Sequence, residues 1–68
     1  MNEINYKTAF KNYENGHSVF IIPESEKDNS LYEPYEIRKG ISSYGLFDRI
    51  ISQFCHINNC NDYLLYTK

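Results

Sequence analysis

The period of the apolar positions changes along this chain. Between Asn5 and Glu14 they recur as Tyr6, Phe10 and Tyr13, at i, i+4 and i+7, with Lys7, Lys11 and Glu14 on the other side. That spacing predicts a short amphipathic helix. Asn15-Gly16 supplies the left-handed stop that follows a helix C-terminus. Ser18-Val19-Phe20-Ile21-Ile22, ended by Pro23, is a continuous β-branched and aromatic run, too short for a helix. It predicts a strand buried on both faces and therefore central in its sheet.

Residues 24–31 are polar, and the Asp28-Asn29-Ser30 cluster is turn chemistry. Within Tyr32–Gly40, Tyr35 and Ile37 alternate with Glu36 and Arg38, the period of a half-buried strand. Pro34 has no N–H and belongs at that strand's start or on an edge. Phe47, Ile50, Ile51, Phe54 and Cys55 then return at helical spacing, widened by Tyr44 and Leu46. Ser42 or Ser43 is the expected cap of this second helix. Asn58-Asn59 is the expected stop, because Asn tolerates left-handed geometry. Tyr63-Leu64-Leu65-Tyr66-Thr67 reads as a final strand.

The order α-β-β-α-β predicts an α+β fold in which residues 1–68 form one domain. The connection rules lead to a three-stranded sheet in order 2-1-3, the apolar strand central and both helices on one face. The other face would show Tyr and half-polar groups and be open to a partner.

Composition makes this core plausible. A 68-residue chain buries only about 60% of its unfolded surface, yet it holds four Phe, seven Tyr and eight Ile. Each aromatic removes a large area from water. A net charge of −2 argues against a general nucleic-acid binder and against wholesale DNA mimicry. No stretch reaches the roughly 18 apolar residues of a membrane span. The N-terminus has neither a basic nor an apolar signal region, so a cytoplasmic location is the default expectation. Residues with AT-rich codons (Phe, Tyr, Met, Ile, Asn, Lys) number 33, against 8 with GC-rich ones (Gly, Ala, Arg, Pro). That bias points to an AT-rich genome, such as a low-GC bacterium or its phages and plasmids.

Catalytic signatures are absent from the sequence. Cys55, His56, Cys60 and the distant His17 lack the paired short spacing of a zinc site, and on a helix Cys55 and His56 diverge. The same divergence disfavours a Cys-His nucleophile. A Cys55–Cys60 disulfide meets a Cα-separation limit of about 7 Å unless the chain folds back. Gly40 to Gly45 lacks the Lys-Ser/Thr of a phosphate loop, and no Ser sits in a Gly-x-Ser-x-Gly elbow. Glu33 and Glu36 could do acid–base work only if shielded from solvent. No enzyme, cofactor or metal is expected.

The segment 24–36 carries five acids against one Lys: Glu24, Glu26, Asp28, Glu33 and Glu36, with Tyr32 and Tyr35 among them. Read plainly it is a solvated loop. Read functionally, Tyr anchors and carboxylate steering suit a basic groove on a partner protein. The leading expectation is thus a small non-enzymatic protein-binding module. It would be of phage or mobile-element type, inhibiting a host nuclease or defence protein by steric occlusion. The alternatives are a nucleic-acid-binding regulator using Lys7, Lys11, Arg38 and Lys39, or a structural subunit that self-associates through an exposed last strand.

Overall fold

In the computed structural model, residues 1–39 and 46–68 are described. The elements run β1 (Asn2–Ile4), α1 (Tyr6–Glu14), β2 (Val19–Pro23), a 3-10 turn (Glu24–Glu26), β3 (Tyr35–Ile37), α2 (Phe47–Ile57) and β4 (Tyr63–Thr67). The chain is an α+β domain with two helices and an antiparallel sheet of order β1-β4-β2-β3. The expected three-stranded sheet is corrected: a fourth strand, β1, lies outside β4. Asn2-Glu3-Ile4 has no apolar pattern and forms its strand by backbone pairing, Ile4 opposite Leu65. The last strand is consequently interior, so the expectation that it is an exposed edge is corrected too. The sheet edges belong to β1 and β3.

The one-sided core follows from this topology. β1 and β2 run parallel with β4 between them, and β3 and β4 run parallel with β2 between them. Parallel neighbours need a crossover, and α1 and α2 supply one each. The two crossovers travel in opposite directions along the sheet between strands of opposite sense. Two crossovers of the same hand therefore land on the same face. Ala9 and Tyr13 of α1 and Phe47, Ile50, Ile51 and Phe54 of α2 are buried with Val19, Ile21, Ile37 and Leu65 of the strands. Their opposite neighbours in the register, Ile4 and Tyr35, point the same way. Phe20, Ile22, Leu64, Tyr66, Glu3 and Glu36 alternate onto the other face, which carries no helix among the described residues and on which Ile22 is nonetheless buried.

The stripe on α1 is rotated from the expected one. Ala9 and Tyr13 are fully buried, whereas Tyr6 and Phe10 remain about 40% exposed. Small Ala9 lets the helix approach the sheet closely. Tyr6, Phe10 and Tyr13 instead surround Phe47, with ring centroids 5.5, 6.0 and 5.1 Å from it. Phe47 thus joins the start of α2 to α1, in aromatic geometry worth about 0.5–1.5 kcal/mol per pair beyond burial.

Both helices have marked ends. Asn5 caps α1 by accepting the Thr8 N–H at 2.8 Å. Ser42 and Ser43 lie outside the described residues, and the residue in the capping position of α2 is Leu46. Each helix closes in a doubly bonded left-handed turn. At α1, His17 N–H donates to Asn12 O at 2.9 Å and Gly16 N–H to Tyr13 O at 3.0 Å. At α2, Cys60 N–H donates to Cys55 O at 3.0 Å and Asn59 N–H to His56 O at 3.2 Å. The left-handed residues are Gly16 (φ 83°) and Asn59 (φ 51°).

A Cβ on Gly16 would meet nothing within 4 Å, so substitution there costs backbone conformation alone. Gly16→Ala is predicted to destabilise the fold by about 1–2 kcal/mol, read as a lower urea midpoint with unchanged slope. Asn59→Gly, which relieves the same strain at the other helix, is predicted not to lower the midpoint.

Candidate functional site

The segment between β2 and β3 leaves the sheet at Pro23 and returns at Tyr35. Its course is set by local polar bonds. Asn29 Nδ2 donates to Glu26 Oε2 at 2.9 Å, and Asn29 Oδ1 accepts the Leu31 N–H at 3.0 Å. Tyr32 N–H donates to Asn29 O at 3.1 Å. These turns carry Tyr32, Glu33 and Pro34 to the outer margin of β3.

There they meet the end of α2. A groove of about 980 Å³ opens along this margin, lined by Tyr32, Glu33, Tyr35, Glu36, Phe20, Ile50, Phe54 and Ile57 among others. Tyr35 is half exposed and stacks on Phe54 with ring centroids 5.9 Å apart. Ile57 is 69% exposed at the mouth. The groove draws on both faces of the sheet: Tyr35 and Phe54 lie on the helix side, Phe20 and Glu36 on the open side. Ser18 Oγ donates a hydrogen bond to Glu36 Oε2, holding that carboxylate beside the open face.

The seven acidic-segment residues singled out from sequence divide into three groups. Tyr32, Glu33, Tyr35 and Glu36 converge on the groove. Glu24 and Glu26, with Tyr32 again, line a shallower concavity against Asn58–Asp62. Asp28 lines neither and lies close enough to Tyr66 to act on its phenol electrostatically. Phe20, Ile50, Phe54 and Ile57 were not anticipated as site residues. Ile50, Phe54 and Ile57 repeat at i, i+4 and i+7, and that stripe reads equally as core.

The basic residues form a poorer site. Lys39 Nζ lies 3.2 Å from Glu14 Oε2 and also donates to Glu14 O at 3.4 Å, so its charge is partly neutralised. Lys7 and Lys11 stand exposed on α1, away from the half-buried rings of Phe20 and Tyr66. Beside those rings stand Glu3 and Glu36, with Lys68 Nζ 5.7 Å from the Phe20 centroid.

No protein-family model, curated protein or solved structure matches this chain. The site is accordingly argued from its own residues. Among the described residues no helix is long and apolar enough to cross a membrane, and no three His, Cys, Asp or Glu side chains converge as metal ligands.

Cys60 lines the shallower concavity, and Cys55 lies in the last turn of α2. The turn after α2 folds the chain back, with Cys60 N–H donating to Cys55 O at 3.0 Å, and places Cys60 where it acts on the Cys55 thiol. Both are free thiols, packed against the core. Burial, then the bond to Cys60, then the negative charge of Cys60 and Asp62 push the Cys55 thiol up to about 11. Burial raises Tyr63 too, with Cys55 and Asp48 adding to it.

Because the folded Cys55 thiol ionises above its unfolded value, the fold favours the neutral form. Its stabilising effect is complete below pH 9 and is lost as pH rises towards 11. Urea midpoints are predicted to be level from pH 7 to 8.5 and to fall between pH 9 and 11. In Cys55→Ser the same fall should be shallower, and an equal slope in both proteins would refute the assignment.

Proposed function

We propose that this chain is a protein-binding module that acts by occupying a basic surface of its partner rather than by catalysis. One observation carries the reading. Two Tyr and two Glu from a single segment, Tyr32, Glu33, Tyr35 and Glu36, line a groove whose apolar lining is Phe20, Ile50 and Phe54, with Ile57 at the mouth. Aromatic anchors in a desolvating pocket supply binding energy, and flanking carboxylates supply steering and discrimination. The partner that suits this chemistry is a protein with a basic groove, such as a nuclease or other nucleic-acid-binding defence protein. Occlusion of that groove is the proposed mode of inhibition.

Several features weigh against direct nucleic-acid binding. Glu3 and Glu36 flank the half-buried Phe20 and Tyr66 rings, where phosphates would have to pass. Lys39 is engaged by Glu14. The net charge is −2.

The test is affinity capture from lysate of the source organism, with and without nuclease treatment. A stoichiometric protein partner is expected to survive nuclease. The combined variant Glu33→Lys, Tyr35→Ala and Glu36→Lys should weaken its capture at least tenfold, about 1.4 kcal/mol, with the folded circular-dichroism spectrum retained. Lys7→Glu with Lys11→Glu should leave capture unchanged. Loss of all capture on nuclease treatment would overturn the reading in favour of nucleic acid.

A further inference from the structure

The groove lies along the β3 margin of the sheet. Among the described residues β3 ends the sheet and pairs with β2 alone, through Val19 opposite Ile37, Phe20 opposite Glu36 and Ile21 opposite Tyr35. An edge strand presents a row of backbone N–H and C=O groups on its outer side, which is a template for another strand. The groove residues are distributed as an added strand would need them. Side chains of a strand alternate between faces, and one laid beside β3 would send alternate side chains to each side of the sheet. On the helix side they would meet Tyr35, Phe54, Ile50 and Ile57, an apolar pocket. On the open side they would meet Glu36 and the Phe20 ring. Glu33, also at the groove, adds a second carboxylate.

We infer that the partner engages this module by strand addition: an extended segment of the partner, alternating apolar and basic residues, pairs with the outer edge of β3. The inference rests on the binding-module reading and specifies its mode. Main-chain bonds to β3 provide register, the apolar pocket takes one parity of side chains, and Glu36 with Glu33 takes the other. β3 is only three residues long, so the ladder contributes few bonds and the pockets carry the selectivity. This division of labour is common to strand-addition recognition. The occupant is distinguished by charge: the acidic rim selects a basic strand over a second copy of this chain. A second copy would offer either β1 (Asn-Glu-Ile), which has no basic residue, or β3 (Tyr-Glu-Ile), which brings its own Glu36 against the acidic rim.

The test uses the full chain and two capped nine-residue peptides of identical composition. One alternates Lys with Val, and the other has its Val and Lys in separate blocks. The alternating peptide is expected to bind at least tenfold more tightly and to slow hydrogen exchange at the amides of residues 35–37. N-methylation of the alternating peptide at one parity should cost at least tenfold, and at the other parity almost nothing. Equal binding of the two peptides, equal effects of the two methylation patterns, or no binding of either peptide would each overturn strand addition. The two readings fail separately. If partner capture still depends on Glu33, Tyr35 and Glu36 while strand addition is overturned, the groove is the site and the mode is wrong. If capture does not depend on those residues, the binding-module reading itself falls.

Discussion

Pairing of β2 with β4, which sets Ile21 opposite Leu65, is the contact on which the rest of this molecule depends. It makes both strands interior and defines one apolar face. Each must then reach its parallel neighbour by a crossover, and the two crossovers fall on that same face. Two helices side by side, each about 10 Å wide, roof four strands spaced about 4.8 Å apart. Among the described residues no helix lies over the other side. The face without a helix still buries Ile22 and half-buries Phe20, Leu64 and Tyr66, and β1 and β3 form the two margins of the sheet.

What differs between the two edges explains why only one resembles a binding site. β1 is short and polar, with Asn2 and Glu3 exposed. β3 is equally short but flanked by aromatic and aliphatic side chains from α2, and by the turn-rich segment that delivers Tyr32 and Glu33. Sheet edges are commonly protected by charge. Glu33 and Glu36 place that charge at the β3 margin. Glu36 and Glu3 also stand beside the Phe20 and Tyr66 rings of the open face.

Much of this was legible in the sequence. The period-3.6 stripe of Phe47, Ile50, Ile51 and Phe54 and the unbroken Val19–Ile22 run identified α2 and the inner strand β2, because burial alone determined those residues. Gly16 and Asn59 announced the helix ends through their tolerance of positive φ. The segment 32–36 stood out by its mixture of Tyr and Glu. β1 was illegible, since Asn-Glu-Ile pairs through its backbone and its side chains carry no period. The α1 stripe was misread because large rings draw the eye, whereas close approach to the sheet is made by Ala9. The apolar lining of the groove was hidden for a related reason: Ile50, Phe54 and Ile57 belong to a helix whose stripe serves both core and surface. The adjacency of the Cys55 and Cys60 thiols depended on a left-handed turn at Asn59, which the spacing of the cysteines alone could not give.

The central claim is that one-sided packing leaves the β3 margin as the surface this molecule uses. It is tested most directly by mapping backbone amide shifts of the labelled protein as its captured partner is titrated in. The account predicts that the largest changes fall on residues 32–37 and on Ile50, Phe54 and Ile57, with little change along the outer side of α1. Changes centred on Lys7, Lys11 and the exposed side of α1, with residues 32–37 unmoved, would contradict it.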